Sequence, residues 1–517
     1  MFFLPRYFLT IIISIALQQA VAAQCPVIPQ PVQATKQASQ FLLNQQTAMV
    51  VENERLQAGA NYLQQKMLQQ YHIAVSRKAN ASKNVIRWQL STDKQMPVEG
   101  YSIRMRNDEI IVSAIDAKGA FNAAVSLLQL AADAKKMDAL LLIDCWNITD
   151  APLYSWRGFM LDESRHFFGK AKVKSLLDWM AFYKLNRFHW HLTDEPGWRL
   201  EIKQYPLLHL VGGVGNYTTP FAPAMYYTQE DIQEIIRYAS ERQIVVIPEI
   251  DMPGHATAAN KAYPQFSGGG SAKHPDFTFH PAKPETYTYL STILRETNAL
   301  FPSGMLHLGG DEVSFGNEKW AADPLVQQLM REQKLTNIHT VELYFMKRMA
   351  DSVFAMNAKL LAWDEVAEAD LPADKTILFW WRHDKPAQLQ KALNKGYSVV
   401  LCPRIPLYFD FVQDSTHTQG RKWNKEYSSL EKLYAFSANA LPLITKAHQQ
   451  QVLGIQANLW TETIPTEQRF DYMLFPRIAA LAEAAWTNAK DYPSFKERLV
   501  KHLSLYKQAG IQFYNPF

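Results

Sequence analysis

Cysteine is scarce in this chain of 517 residues. The three cysteines are Cys25, Cys145 and Cys402, and their odd number and wide spacing fit no metal-binding motif. A disulfide-built scaffold and a cysteine-ligated metal centre are therefore not indicated. A disulfide between Cys25 and Cys145 stays open, whereas Cys402 lies in the apolar run 398–402 and is expected to be a small buried hydrophobic residue.

Net charge is also small, with 53 Lys and Arg against 49 Asp and Glu. This balance gives no electrostatic reason to expect a nucleic-acid partner. No repeat of fixed period occurs, and the glycine loop 267–271 is the single low-complexity stretch. With 48% hydrophobic and 20% charged residues, the chain is expected to fold as one large domain and a smaller one.

The N-terminus has the pattern of an export signal. Arg6 precedes an apolar run at 8–17, and small residues follow at 20–23. The run is too short for a membrane span, so residues 1–23 are predicted to be a cleaved signal peptide and the protein to be exported, to the periplasm or beyond, with no stable membrane span. A retained anchor is the alternative. A lipid-modified Cys25 is less favoured because Gln24 stands where a small residue is expected.

Two domains are predicted after the signal. Residues 24–150 suggest a small α+β domain, and Asp150-Ala151-Pro152 marks its end. Its predicted strands are 71–76, 85–90, 101–105 and 109–113, with a helix at 120–132, an apolar run at 140–143 and helical periodicity within 36–70.

Residues 151–517 alternate short apolar runs with helical patterns. The runs are 156–161, 187–192, 244–250, 305–308, 359–363, 376–381, 398–402 and 452–460, and the main helical patterns are 172–183, 229–242, 285–300, 339–356 and 471–486. Eight such units predict an α/β fold of the (β/α)₈ TIM-barrel type. The long segment 403–451 is rich in aromatic residues and is expected to be an ordered loop near the site.

Barrel enzymes carry their catalytic groups at the carboxyl ends of the strands, and every predicted strand here ends in acids, His, Arg, Tyr or Trp. These residues are Asp162, Glu163 and Arg165; His189, His191 and Asp194; Glu249, Asp251 and His255; Asp311 and Glu312; Trp363, Asp364 and Glu365; Trp380 and Trp381; Tyr408 and Asp410; and Trp460 and Glu462. The sequence therefore predicts an active site at this end of the barrel.

Asp311 and Glu312 are the strongest catalytic candidates. Gly309-Gly310 allows a tight turn at the strand end, so both carboxylates can face the barrel mouth. Adjacent acids raise each other's proton affinity, which lets one of them stay protonated and act as a general acid. Read alone, the pair could instead cap the following helix.

The pair His189 and His191 allows a metal-dependent alternative, because residues at i and i+2 of one strand share a face and could bind zinc. Further ligands would have to come from His255 or His307, and the later strand ends offer Trp instead. A hydrogen-bonding network that orients carboxylates is the favoured interpretation.

The strand-end motifs resemble glycoside hydrolase family 20, the β-N-acetylhexosaminidases. The segments that carry the resemblance are Arg157-Gly158, Leu161-Asp162-Glu163-Ser164-Arg165-His166-Phe167, His189-Trp190-His191-Leu192-Thr193-Asp194, Pro248-Glu249-Ile250-Asp251-Met252-Pro253-Gly254-His255, His307-Leu308-Gly309-Gly310-Asp311-Glu312 and Trp460-Thr461-Glu462. The resemblance is dense over residues 153–487. Glu195-Pro196 departs from the Asp-Gln that is more usual in bacterial members.

The resemblance implies a retaining, substrate-assisted hydrolysis in which the sugar's own 2-acetamido oxygen attacks the anomeric carbon and forms an oxazolinium intermediate. It implies that Glu312 is the acid and base, that Asp311 holds the acetamido N–H and that Tyr408 donates to the acetamido oxygen. Other implied sugar contacts come from Arg165, Trp363, Trp381 (or its neighbour Trp380), Asp410, Trp460 and Glu462, with Asp194 and His255 supporting the acids.

The implied substrate is a small molecule or oligosaccharide ending in a β-linked N-acetylhexosamine, and neither a cofactor nor a metal is implied. The choice between GlcNAc and GalNAc stays open, as does the natural source of the substrate. A sugar-binding protein that has lost catalysis is the second alternative, and the intact Asp311, Glu312 and Tyr408 speak against it.

Overall fold

A computed structural model describes residues 24–138, 140–417, 420–422 and 426–517; the predicted signal peptide lies outside them. The N-terminal part contains eight strands and two long helices. The strands are β1 (Gln33–Leu43), β2 (Ala48–Val51), β3 (Ser76–Arg77), β4 (Val85–Leu90), β5 (Tyr101–Met105), β6 (Glu109–Ala114), β7 (Lys135–Met137) and β8 (Leu140–Asp150), and the helices are α1 (Gln57–Tyr71) and α2 (Ala117–Ala132).

These strands form one mixed sheet in the order β1-β8-β5-β6-β4-β2-β3, with β7 also paired to β8. Helices α1 and α2 pack closely, because Gly59 of α1 lies against the backbone of Ala120 in α2, where a Cβ would come within 2.6 Å of a carbonyl carbon. The predicted α+β character of this part is confirmed.

The sequence missed β1 and misassigned the segment after α1. His72 adopts a left-handed conformation (φ 56°) and its N–H bonds back to the carbonyls of Leu68 and Met67, which ends α1. The predicted strand 71–76 is therefore wrong, since α1 extends to Tyr71 and only Ser76 and Arg77 pair as a strand. The polar strand β1 showed no apolar alternation because most of its side chains are exposed.

The C-terminal part is a closed parallel barrel. Its strands in ring order are β9 (Trp156–Asp162), β10 (Arg187–His191), β13 (Val245–Glu249), β16 (Met305–His307), β17 (Lys359–Trp363), β18 (Thr376–Trp380), β19 (Ser398–Leu401) and β20 (Val452–Leu459). Two small hairpins lie outside the ring: β11 (Thr193–Asp194) with β12 (Gly197–Trp198), and β14 (Ser267–Gly269) with β15 (Thr278–Phe279). The predicted (β/α)₈ barrel is confirmed.

Helices surround this ring. They are α3 (Gly169–Phe182), α4 (Leu207–Leu210), α5 (Gln229–Ser240), α6 (Thr257–Ala262), α7 (Pro284–Leu300), α8 (Pro324–Glu332), α9 (Ile338–Ala355), α10 (Pro386–Asn394), α11 (Arg404–Leu407), α12 (Leu430–Ala435), α13 (Glu467–Leu474), α14 (Arg477–Trp486) and α15 (Tyr492–Gln508). The pattern predicted as one helix at 471–486 is two helices, because Pro476 lacks the N–H that would continue the first. Within the described part of the chain, no helix has the length and apolar character of a membrane span.

The two parts share a buried core and buried polar contacts. Arg157 at the start of the barrel donates to Glu99 of the N-terminal part at 2.6 Å, and Lys184 donates to Asp150 at 3.2 Å. All three cysteines are buried free thiols, so the structure does not support the disulfide between Cys25 and Cys145.

Candidate active site

Strands β16 and β20 lie on opposite sides of the eight-stranded ring. β16, which precedes Asp311 and Glu312, is the fourth strand of the ring, and β20, which precedes Glu462, is the eighth. Arg165 follows β9 and Asp410 follows β19, the two neighbours of β20. The acid pair therefore faces a group of charged residues across the barrel mouth.

The turn after β16 depends on its two glycines. Gly309 has φ +64°, and a Cβ there would lie 1.7 Å from the Oδ1 of Asp251. Gly310 has φ +87°, and its N–H donates to the same Asp251 oxygen at 3.3 Å. This turn carries Asp311 and then Glu312, which itself adopts a left-handed conformation (φ 51°). Such a conformation is costly for a residue with a Cβ and occurs frequently at active sites.

The two acids lie in different environments. The side chain of Asp311 is 11% exposed and that of Glu312 is 34% exposed. Burial, with a contribution from the Glu312 charge, raises the pKa of Asp311 to about 6, although the neighbouring His255 opposes the rise. Neither residue forms a cap with its side chain: Glu312 precedes the turn 313–315 without a capping hydrogen bond. The helix-cap interpretation is therefore not supported.

His255 connects the acid pair to Asp194. Its Nδ1 donates to Asp194 Oδ1 at 3.0 Å, and its Nε2 lies 3.6 Å from Asp311 Oδ2 and 3.8 Å from Glu312 Oε2. Burial disfavours the charged imidazole, but the carboxylates of Asp194, Asp311 and Asp251 outweigh it and hold the pKa of His255 well above its ordinary value. The protonated form of this buried ring is therefore favoured beside both acids.

Asp194 also holds Arg165 at the opposite side of the site. Arg165 Nη1 lies 2.7 Å from Asp194 Oδ2, and its guanidinium lies 5.0 Å from the centre of the Trp460 ring. Below them, Glu249 accepts from the His191 Nδ1 at 2.6 Å. The metal alternative had proposed His189 and His191 as ligands, yet both are fully buried and contact this same carboxylate.

Asp410 and Glu462 are bridged by Arg421, a residue that the sequence did not single out. Arg421 Nε lies 3.1 Å from Asp410 Oδ2, and its Nη2 donates to Glu462. Burial raises the pKa of Asp410 to about 7, with Arg421 opposing and Glu462 reinforcing the rise. Arg421 lies in the long loop after β19, where no periodic pattern or neighbouring motif could indicate its position.

Aromatic side chains form one side of the site. Trp363 ends β17 and Trp381 follows β18. The Trp381 ring stacks with that of Tyr408 at 6.3 Å and 12°. Trp363 is held by a hydrogen bond from its indole N–H to Glu249 at 2.9 Å. Trp380 packs in the main hydrophobic core, so Trp381 is the one of the adjacent pair that faces the site.

These residues surround one open cavity. It is lined by Arg165, His255, Asp311, Glu312, Trp363, Trp381, Arg404, Tyr408, Asp410, Phe411, Arg421, Trp460 and Glu462. Of the predicted site residues, only Asp194 lies behind this lining. Arg404, Phe411 and Arg421 were missed by the sequence.

Glu365 was named at a strand end but given no role. Its carboxylate accepts from the Trp381 indole N–H at 3.0 Å and lies 3.2 Å from Arg382. It holds Trp381 in place from behind the cavity.

Several His and acid side chains lie close enough to share a metal ion. The groups are His189, Glu249 and His307; His191, Asp194 and Asp251; Asp194, Glu195 and His255; and Asp251, His255 and Asp311. Both ring nitrogens of His191 already hydrogen-bond to carboxylates, and so does the Nδ1 of His255. A reaction without a metal stays a prediction.

Two family models match the chain. The model described as glycosyl hydrolase family 20, catalytic domain, matches residues 154–489, and that of glycosyl hydrolase family 20, domain 2, matches residues 24–151.

The chain is also similar to several bacterial hexosaminidases. A β-hexosaminidase of Porphyromonas gingivalis is 33% identical over 95% of this chain and 64% of its own length, so this chain spans about two thirds of that relative. A β-N-acetylhexosaminidase of Cellulomonas fimi is 28% identical over 94% of this chain and 95% of its own. The structure of a family 20 exo-β-N-acetylglucosaminidase of Vibrio harveyi in complex with N-acetylglucosamine superposes with a TM-score of 0.87, at 30% identity over 95% of this chain and 79% of that one.

Proposed function

Because the chain belongs to glycoside hydrolase family 20 and is a glycoside hydrolase of the β-hexosaminidase type, we propose that it removes single N-acetylhexosamine units from the non-reducing ends of β-linked substrates, with retention of configuration. The observation that carries this proposal is the placement of Asp311, Glu312 and Tyr408 at one cavity.

The geometry supports one orientation of the sugar. The charged group Arg165, Asp410 and Glu462 offers donors and acceptors for ring hydroxyls, and it lies across the barrel from Glu312. The anomeric carbon then lies beside Glu312, and the leaving group extends past that residue. Charged groups at the far end that would bind the hydroxyls of a terminal sugar support exo cleavage.

Glu312 is the proton donor to the leaving oxygen and later the base that activates water. Its side chain is the more exposed of the two acids, as a group that exchanges protons with a leaving group and with water must be. Asp311 accepts the acetamido N–H and stabilises the positive charge that develops on the oxazolinium ring. Tyr408 donates to the acetamido oxygen, and the sugar supplies the nucleophile, which replaces a second protein carboxylate.

Substitution of the acid tests this assignment. We expect Glu312→Gln to lower kcat by about 10²- to 10⁴-fold on substrates with poor leaving groups, and Asp311→Asn to lower kcat sharply while changing binding less. Glu318→Gln removes an exposed acid from the same stretch of chain and is the control. Full activity of Glu312→Gln in a chromogenic N-acetylglucosaminide and chitobiose assay would contradict the proposal.

The 2-acetamido group is the second test. Because the nucleophile belongs to the substrate, plain β-glucosides should be hydrolysed far more slowly than the matching N-acetylglucosaminides. Comparable rates would refute substrate assistance, whereas loss of activity with a chelator would favour the metal-dependent alternative. A protein that bound N-acetylglucosamine without releasing product would be a binding protein.

We further propose export of the protein, on the basis of the N-terminal sequence pattern. Cell fractionation and N-terminal sequencing of the mature protein test this; a cytoplasmic protein that begins at Met1 would contradict it.

A further inference from the structure

Arg421 contacts two carboxylates of the cavity at once. Its Nε lies 3.1 Å from Asp410 Oδ2, and its Nη2 donates to Glu462. Arg165 also lines the cavity, but its closest ion pair is with Asp194 at 2.7 Å. The positive charge in direct contact with both Asp410 and Glu462 is therefore that of Arg421.

The backbone around Asp410 is held by other contacts. The Arg421 N–H donates to the Asp410 carbonyl at 3.0 Å. The buried Arg477 donates to the carbonyls of Phe409 and Phe411, at 2.5 and 2.9 Å. A change of the Arg421 side chain therefore alters the surroundings of the Asp410 carboxylate without removing these backbone contacts.

The two acids need a shared cation to stay close together. Asp410 is buried, and the Glu462 side chain is 12% exposed. Burial raises the pKa of Asp410, Arg421 opposes that rise and the Glu462 charge adds to it. Two carboxylates at short range in a buried place otherwise separate or share a proton. Arg421 thus favours the ionised form of Asp410 and holds the pair in one arrangement.

Each of these carboxylates has an oxygen that is left without a hydrogen bond. Asp410 Oδ1 and Glu462 Oε2 are buried, and neither has a hydrogen-bond partner among the residues that the structure describes. Buried acceptors are normally paired, and a sugar hydroxyl is a donor that can reach them, because both side chains line the cavity.

The proposed orientation of the sugar identifies the hydroxyl concerned. In a pyranose ring, C4 is the atom directly opposite C1. A sugar whose C1 lies beside Glu312 therefore presents its C4 hydroxyl to the charged groups on the other side of the barrel. The configuration at C4 is also what distinguishes a glucosaminide from a galactosaminide.

We propose that Arg421 is a positioning residue that sets the selectivity of the site at C4 of the terminal sugar. By bridging Asp410 and Glu462, it directs their unpaired oxygens to the C4 hydroxyl. This deepens the proposed function and rests on it, because it takes C1 to lie beside Glu312. The preferred terminal sugar then carries an unsubstituted C4 hydroxyl, and discrimination against a sugar without it depends on Arg421.

Two chromogenic substrates separate this role from catalysis. One is an N-acetylglucosaminide, and the other is its 4-deoxy analogue, which keeps the 2-acetamido group and the leaving group. The readout is the ratio of kcat/KM on the first to kcat/KM on the second. For Arg421→Gln we expect this ratio to fall by about five- to twentyfold, because a hydrogen bond to a charged acceptor is weakened.

Two further variants serve as rescue and control. Arg421→Lys keeps the charge without the planar fork of donors, so it should recover part of the lost ratio. Arg295→Gln makes the same change at an exposed arginine of α7 and should leave the ratio unchanged. The Arg421 side chain is 46% exposed, so its substitution is compatible with folding, which thermal unfolding of each variant checks.

A ratio that is unchanged or raised in Arg421→Gln would overturn the proposal, including the case in which both rates fall equally. The absence of any recovery in Arg421→Lys would also overturn it, because the charge would then play no part. Equal rates of the unsubstituted protein on the two substrates would do the same, since the C4 hydroxyl would then make no useful contact. Failure of the unsubstituted protein to hydrolyse the N-acetylglucosaminide would instead refute the proposed function itself.

Discussion

Asp194 does not line the cavity, yet it contacts residues on both sides of it. Its Oδ2 receives Arg165 at 2.7 Å and His191 at 2.9 Å, and its Oδ1 receives His255 at 3.0 Å. Burial alone would raise the pKa of Asp194, but the positive charges of Arg165 and His255 outweigh burial and hold that pKa well below its ordinary value. This carboxylate thus fixes both Arg165, which is proposed to bind sugar hydroxyls, and His255, which lies beside Asp311 and Glu312.

This arrangement predicts a pH effect of His255. In the proposed mechanism Asp311 must be ionised to accept the acetamido N–H, so kcat/KM should fall as the pH drops through about 6. The His255 cation opposes the effect of burial on Asp311. In His255→Gln that opposition is lost, the pKa of Asp311 rises further, and the acid limb of kcat/KM should shift to higher pH.

The measurement is the pH profile of kcat/KM, which reports groups of the free enzyme. His274→Gln is the control, because His274 contacts Glu195 and neither acid. An acid limb that stays in place or moves to lower pH in His255→Gln would show that His255 does not act through Asp311.

At the scale of elements, the importance of the turn after β16 can be tested by comparing Gly309, which lies in that turn, with Gly304, which precedes β16 and has the same backbone conformation. Gly309 and Gly304 have φ of +64° and +63°, but a Cβ at Gly309 would clash with Asp251 whereas one at Gly304 meets nothing within 4 Å. Gly304→Ala should therefore cost only the conformational strain, about 1 kcal/mol.

Gly309→Ala should lower the free energy of unfolding by clearly more than Gly304→Ala does. It should also lower kcat, because the displaced turn carries Asp311 and Glu312. Urea unfolding and steady-state kinetics of both variants measure this. Equal losses of stability with kcat retained would mean that the turn tolerates the side chain.

The elements that the sequence predicted are those whose signal is local. Each buried barrel strand is a short apolar run, so the sequence places the residues at or soon after its end, such as Trp363 and Asp311, at the mouth of the barrel. Arg421 could not be found this way, because its place depends on how a long loop folds back to bridge Asp410 and Glu462. The exposed strand β1 was missed for a similar reason, since pairing with β8 and not its own apolar pattern defines it.

At the scale of the whole molecule, the two parts are joined through buried charges. Arg157 is 1% exposed and contacts Glu99 at 2.6 Å, whereas Lys118 approaches the same carboxylate at 3.8 Å with its side chain 41% exposed. Removal of one partner of a buried pair leaves the other charge uncompensated.

Glu99→Ala should therefore lower the free energy of unfolding by about 3 kcal/mol, and Lys118→Ala by less than about 1 kcal/mol. Urea unfolding followed by tryptophan fluorescence compares the two. Similar small effects of both substitutions would show that the Arg157 charge finds other partners, such as the carbonyls of Lys184 and Tyr154.

The wall formed by Arg165, Asp410, Arg421 and Glu462 has a consequence for the rate at which a polymer is consumed. Under the proposed exo cleavage a sugar enters with its free end against that wall, so each linear molecule of substrate offers one point of attack, whatever its length. Equal masses of short and long oligosaccharide should then release monomer in proportion to their number of chain ends. The viscosity of a long polymer should fall slowly while free monosaccharide accumulates from the first turnover.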